Sequence, residues 1–500
     1  MKNTVLLTGG EAIARGAFES GAKHAIGFPG IPISEILTSF DTFPDTATHW
    51  APNEKVGLEV ALGISQGGAR TLVALKHIGL NIAADPIIAS AYSGVNAGMV
   101  IAAVDDPGML SSMNEQDTRH FARAAKIPML APSDAQETID FMKLGFSLSE
   151  KYDIPVVLRM TTRLCNTSGL CSLEEAAPSP MKKSVQRSPK SLTEGLSRHQ
   201  ALEKQLNAIE SFAAQAFEIN TIDVGSPEVG IITSGIPYLY AKEVLPDASF
   251  LKLGILHPLP QKLLTYFASL VKRLYVIEEL DPFLEEQIRA MGISVLGKEA
   301  FPRTGELTPD IVAKGLAGEG ALVTSPLTVS VPLPTRQSNL CLSCAHRGLM
   351  NVFQDMDLNV IGDIGCFSPG ELPPADPEEM DACYCIGASM SVAFGLSLAN
   401  VSTTQNRTVS VISGSTFMHS GLPALANIVQ NNGSATVCIL AAPSNHDAVA
   451  TPSQVNFRLL CEGVGVQRIR MVHPDDETSI KEALSEELDA PGVSVIISSN

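Results

Sequence analysis

The stretch Val409 to Gly421, V-S-V-I-S-G-S-T-F-M-H-S-G, has the residue types of a phosphate-binding turn. A β-branched apolar run (Val409, Val411, Ile412) ends in Ser413, Gly414, Ser415 and Thr416, and a helix-like segment follows. Such a strand-to-helix turn aims backbone N–H groups at an anion. Holding a diphosphate through Mg²⁺ also takes a carboxylate, because this hard cation is bound by one or two acidic side chains together with the phosphates. The turn offers Ser413 and Gly414 and no carboxylate. A second reactive set is Cys341-x-x-Cys344, Cys366, Cys383 and Cys385, which makes five of the nine cysteines in one region. Thiolates at C-x-x-C spacing suit an iron–sulfur cluster or zinc, for which His346 stands two positions after Cys344; the alternative is a set of buried free cysteines. A third is Glu54, which the residues alone present as a helix N-terminal acid favoured by the dipole.

Alternating strand-like and helix-like patterns must position these groups. Strands are expected at 25–28, 71–75, 99–103 and 154–158, then at 229–233, 250–253, 274–277 and 294–296, then at 360–363, 409–412, 436–440 and 493–497. Strands alternating with helices make parallel, doubly wound sheets. The expected organisation is α/β, with three such domains at 1–165, 223–330 and 335–500. Residues 166–222 form a linker or arm, since Ala176 to Pro180 and the basic run from Lys182 to Lys190 show little periodicity.

The composition excludes several classes. Hydrophobic residues are 45% and charged residues 18% of the 500, with no apolar run long enough to cross a bilayer. A formal charge of −18 disfavours nucleic acid and anionic membranes. Nine cysteines are too few for a disulfide scaffold, and the N-terminus lacks a signal-peptide core, so a cytoplasmic protein is expected.

Long strings resemble the alpha subunits of indolepyruvate ferredoxin oxidoreductases, in the thiamine-diphosphate-dependent 2-oxoacid:ferredoxin oxidoreductase superfamily. They include G-E-A-I-A-R-G-A (10–17), G-F-P-G-I-P-I-S-E-I (27–36), N-E-K-V-G-L-E-V-A (53–61), K-H-I-G-L-N-I-A-A-D-P (76–86) and D-D-P-G-M-L-S-S-M-N-E-Q-D-T-R (105–119). V-I-E-E-L-D (276–281), C-L-S-C (341–344), G-D-I-G-C (362–366) and C-Y-C-I-G-A-S (383–389) continue the match, which covers essentially the whole chain. The resemblance implies a pyrimidine-binding domain, a domain like the transketolase C-terminal domain and a diphosphate-binding domain. It implies that Glu54 activates the cofactor through its aminopyrimidine, with His77, Asn81 and Asn114 as polar groups near the thiazolium. Leu110 stands where the family usually has His. It further implies that Gly30, Gly387, Ser389, Gly414, Ser415, Thr416 and His419 line the cofactor. Cys341, Cys344 and Cys366 are implied as three ligands of a [4Fe–4S] cluster, the fourth being Cys383, Cys385, Cys461 or a residue of another chain.

Two departures stand out. The family's Mg²⁺-binding Asp is Gly414 here, and its Asn after the next strand is Ala442; Asp447 is the one nearby carboxylate that could substitute. No C-x-x-C-x-x-C-x-x-x-C-P run is present, so electrons are expected to leave through a partner. Three functions follow. One is a thiamine-dependent subunit that decarboxylates a 2-oxoacid, paired with a beta-type subunit and a ferredoxin-like acceptor in a homodimer or hetero-oligomer. Another is a repurposed homologue that no longer holds Mg²⁺ and serves as a scaffold or binds another ligand. The third is an iron–sulfur redox module.

Overall fold

The computed structural model describes residues 3–177, 195–321, 346–365, 380–399, 407–441 and 455–499. They fall into two compact units, 1–328 and 329–500. No helix among the described residues is long and apolar enough to cross a membrane.

The first unit is built on a seven-stranded sheet in the order Ile255–His257, Met129–Leu130, Val156–Thr161, Met99–Asp105, Thr71–Lys76, His24–Gly27 and Ala47–Trp50. All neighbours are parallel except Ile255–His257, which runs antiparallel beside Met129–Leu130. Met99–Asp105 is buried at every position and Thr71–Lys76 at all but the last, as expected of central parallel strands covered on both faces. Helix Gly9–Glu19 starts in a capping box between Thr8 and Glu11 and packs closely on Ala135–Tyr152. Gly16 makes that approach possible, since a Cβ there would lie 2.8 Å from Met142 Cβ.

A four-stranded sheet follows in the order Arg273–Ile277, Ser226–Thr233, Ala248–Lys252 and Thr221–Asp223, the last antiparallel. Its residues Ile232, Leu251 and Val276 join one apolar core with Ile101, Val157 and Leu75 of the larger sheet. The strand expected at 294–296 is reduced to a single bridge between Leu296 and Tyr275. Within 166–222, Ser168–Leu173 returns to pair antiparallel with Asn3–Thr8, and Gly195–Ala213 is a helix.

The second unit carries a five-stranded parallel sheet: Asn359–Ile361, Thr408–Ser413, Ala435–Leu440, Val493–Ser498 and Arg468–Val472. Gly30, Glu54 and His77 in the first unit and Ser413 to Thr416 in the second lie at the carboxyl ends of parallel strands, where open α/β sheets bind ligands.

Candidate active site

In the first unit Glu54 opens the helix Glu54–Gln66, whose cap Asn53 accepts from Val56 N–H at 2.9 Å. The side chain is buried, and the helix N-terminus favours its negative charge. Its carboxyl lies against Gly79: a Cβ on that glycine would fall 2.7 Å from Glu54 Cγ and 2.8 Å from Oε1. Gly79 belongs to the short helix His77–Ile82, so Glu54 is held two residues from His77. His77 is fully buried; desolvation pulls its imidazole below the usual range against the opposing Asp105 carboxylate, so the ring is neutral at pH 7.

Lys76, the last residue of its strand, donates from Nζ to Ser111 O at 2.6 Å and to Ser111 Oγ at 3.1 Å. That pins the 105–117 loop to the strand end. Gly30 meets the same lysine, since a Cβ there would lie 3.9 Å from Lys76 Cδ, and its N–H donates to Ser34 Oγ at 3.1 Å. Asn114 and Asn81 are brought together by Gln116, which donates to Asn114 Oδ1 at 3.0 Å and accepts from the Asn81 amide. Leu110 is 38% exposed on this loop.

The loop ends in a buried charge network. Arg119 donates to Asp117 Oδ1 at 2.8 Å, Glu278 Oε2 at 2.5 Å and the Glu279 carbonyl at 2.8 Å. Two of the matched strings, 105–119 and 276–281, therefore meet through one guanidinium. Burial works to raise the Asp117 carboxyl, but Arg119 and Arg159 outweigh it and hold the pKa at about 2. Glu279, by contrast, is pushed up to about 7 by burial, with Arg159 and the Leu307 N–H opposing.

In the second unit the loops are assembled by Asp363. This fully buried carboxylate accepts from the N–H of Ile364 at 2.8 Å, Gly387 at 2.8 Å and Ser389 at 3.2 Å, which ties 383–389 to the end of Asn359–Ile361. Burial raises its pKa and the three donors oppose the rise. Gly387 has φ +79°, and a Cβ there would lie 2.4 Å from Ser420 Cβ, so this loop packs directly on the segment Phe417–Gly421. His419 is buried there with Nδ1 against Ser420 Oγ. Gly387, Ser389 and His419 thus come together with Ser413 to Thr416, while Glu54, His77, Gly30 and Asn114 belong to the other unit.

The turn itself is uncharged. Ser413 caps the following helix by accepting from Thr416 N–H at 3.2 Å, and its Oγ is 2.9 Å from both Ser415 Oγ and Thr416 Oγ1. A Cβ on Gly414 would lie 2.8 Å from Phe457 Cζ. Mg²⁺ bound to a diphosphate does not fit this donor set: the turn carries hydroxyls only, and Asp363 is committed to three backbone donors. Ala442, Asp447, Cys341, Cys344 and Cys366 lie outside the described residues. Of the candidate fourth cluster ligands, Cys385 is exposed and Cys383 half-buried. Cys461 sits in an apolar core, where burial pushes its thiol up to about 12.

Comparison with known proteins places this geometry. The chain is 34% identical to indolepyruvate oxidoreductase subunit IorA of Archaeoglobus fulgidus, over 99% of its own length and 85% of the relative's. It belongs to that family. The same subunit of Pyrococcus horikoshii is also 34% identical with the same coverage. Residues 15–215 match the family model described as pyruvate flavodoxin/ferredoxin oxidoreductase, thiamine diphosphate-binding. Within the family frame, Glu54, Gly79 and the 105–117 loop lie inside that thiamine-binding-type region. A solved 2-oxoglutarate:ferredoxin oxidoreductase from Magnetococcus marinus shares the fold at TM-score 0.54 and 17% identity, over 64% of this chain and 65% of that one.

Motif reading of the family strings did not single out Gly79, Gln116, Asp363 or Phe457. Asp363 carried a signal, an acid at a strand end flanked within two residues by glycines in G-D-I-G, whereas Phe457 carried none because its role depends on what it packs against.

Proposed function

We propose that the chain is the alpha-type subunit of a 2-oxoacid oxidoreductase, which oxidatively decarboxylates an indolepyruvate- or arylpyruvate-like substrate with thiamine diphosphate. Electrons leave through a beta-type partner to a ferredoxin-like acceptor. The observation that carries this reading is Glu54, a buried carboxylate at a helix N-terminus in the family's thiamine-binding region, with Gly79 leaving room for it.

Glu54 would hold the aminopyrimidine by a hydrogen bond and share its proton, acting as the general acid–base partner of the ring. When bound, the cofactor supplies the electron sink that breaking the bond to the substrate carboxyl requires. Neutral His77 offers an uncharged ring on the same short helix as Gly79, and the Asn81–Gln116–Asn114 chain offers amide donors at the strand ends. Gly30 is read as a cofactor contact of the first unit, and Gly387, Ser389, Ser415, Thr416 and His419 as those of the second. Cys341, Cys344 and Cys366 are read as cluster ligands with Cys383 or Cys385. Anaerobic iron and sulfide analysis of their serine variants tests that assignment, and unchanged iron content would end it.

A second reading, a repurposed homologue that no longer binds Mg-thiamine diphosphate and serves as a scaffold or binds another ligand, is favoured by Gly414 and the Phe457 ring beside it. The deciding experiment measures 2-oxoacid-dependent dye reduction by the complex isolated from its source. Glu54→Gln is expected to lower kcat about 10²- to 10⁴-fold, the usual contribution of a positioned proton-transfer group. A wild-type complex without 2-oxoacid-dependent reduction, or a variant as active as wild type, would reject the thiamine reading.

A further inference from the structure

The C-terminal turn differs from a metal-binding one by more than a lost acid. Phe457 is 7% exposed and opens the helix Phe457–Gly463, whose cap Asn456 accepts from Leu459 N–H at 3.0 Å. Its ring stands edge-on to Phe417, with centroids 5.8 Å apart at 70°. Both rings belong to one apolar core with Ile412, Ile439 and Ile497, so Phe457 is held from the helix side and the sheet side. The tip of that ring lies 2.8 Å from where a side chain at position 414 would begin. An aspartate there would have to drive an apolar ring out of its packing before its carboxylate reached any cation. The neighbouring hydroxyls do not replace that charge: Ser413, Ser415 and Thr416 hydrogen-bond to one another, and neutral oxygens do not offset the dehydration of Mg²⁺.

We infer that Phe457 occupies the space a metal-binding carboxylate at position 414 would need, so that this turn coordinates no divalent cation and contributes no Mg²⁺ dependence to thiamine diphosphate binding. The inference rests on the thiamine reading for its ligand and on packing for its mechanism. It carries a specific consequence: residues 414 and 457 are coupled. Gly414→Asp alone meets the ring, Phe457→Ala alone supplies no charge, and only the two together make room for a carboxylate and provide one. Such reciprocal dependence is what double-mutant cycles detect between residues in contact.

The test uses the full chain in its complex. Mn²⁺ binding is followed by electron paramagnetic resonance, and thiamine diphosphate binding by calorimetry in Mg²⁺ and in EDTA. The wild type is expected to bind no Mn²⁺ at this site and to show cofactor affinities in the two media that agree within about twofold. Neither single variant gains Mn²⁺. The double variant Gly414→Asp/Phe457→Ala gains it, with cofactor binding about tenfold or more tighter in Mg²⁺ than in EDTA. Circular dichroism and thermal unfolding check each variant, and Phe457→Leu replaces Phe457→Ala if the latter does not fold. Stoichiometric Mn²⁺ on the wild type, or a tightening of about tenfold by Mg²⁺, would overturn the inference. So would Gly414→Asp gaining metal as well as the double variant. If the wild type binds no thiamine diphosphate in either medium, the proposed function falls, while the Mn²⁺ titrations still decide the role of Phe457.

Discussion

The two strand-end sites of this chain contrast in how each treats its charge. At the Glu54 end the acid is kept, and a glycine, Gly79, is placed to leave room for it. At the Gly414 end the turn carries a glycine and no acid, and an aromatic ring closes on it. The loops around Gly414 are nevertheless held firmly, by the three N–H groups on Asp363 and by the close seat of Gly387 on Ser420. Scaffold and chemistry are therefore separable: backbone hydrogen bonds assemble this loop system whatever side chain stands at its turn.

In the first unit a fully buried arginine, Arg119, sits among carboxylates, whereas Arg468 and Arg470, paired arginines of the second, are partly exposed, and the largest expected effect tests that difference. Arg119→Leu removes the guanidinium that Asp117 and Glu278 share, leaving Asp117 only the more remote Arg159 and Glu278 the N–H groups of Leu284 and Glu285, and losing one partner of such a buried cluster costs about 3–5 kcal/mol. In native-state hydrogen exchange, protection is expected to fall in Thr71–Lys76 and Ser226–Thr233 and to persist in Thr408–Ser413. Equal losses in both units would break the contrast.

Next in size is a pH effect from the same network. Burial raises Glu279 from the ordinary 4.5 to about 7, so folding favours its neutral form. The folded protein then binds the proton more tightly than the unfolded chain, and stability falls as pH rises from about 4.5 to 7. The penalty levels off at about 3 kcal/mol above that window. Glu279→Gln keeps an oxygen for the Leu307 N–H and removes the titration. Between pH 4.5 and 8 the variant should lose about 3 kcal/mol less stability than wild type in urea titrations. Parallel curves would mean that the charged form is accommodated, as solvent reaching the carboxylate would allow.

Much of this architecture was legible because its central strands are continuous apolar runs. Thr71–Lys76, Met99–Asp105 and Thr408–Ser413 appear within a residue or two of expectation. Short edge strands escaped: Ala47–Trp50 and Thr221–Asp223 are half-exposed and too brief for a period to show. The pairing of Asn3–Thr8 with Ser168–Leu173 joins segments far apart in sequence, and local patterning carries no trace of such a contact. The sites divide likewise. The helix-initial position of Glu54 follows from Asn53 before it, a local capping rule. Gly79 against Glu54 and Phe457 against Gly414 are meetings of separate elements, fixed only when the chain packs.

The smallest expected effect is the sharpest comparison, because one substitution made at each end should have opposite signatures. Gly79→Ala adds a Cβ 2.7 Å from Glu54 Cγ, and the atoms it meets belong to a side chain that can swing aside. Stability should change by less than about 1 kcal/mol, while displacing the carboxylate by about 1 Å should lower turnover about a hundredfold. Gly387→Ala meets Ser420 Cβ at 2.4 Å and Ser420 Cα at 3.4 Å, atoms fixed to the backbone, at φ +79° where an L side chain is strained. Relief there requires loop movement, so it should cost about 1–3 kcal/mol. Denaturant midpoints and steady-state kinetics on the same two variants separate the cases. A Gly79→Ala enzyme that unfolds early, or one that retains full turnover, would mean that Glu54 is braced by its packing rather than poised for a ligand.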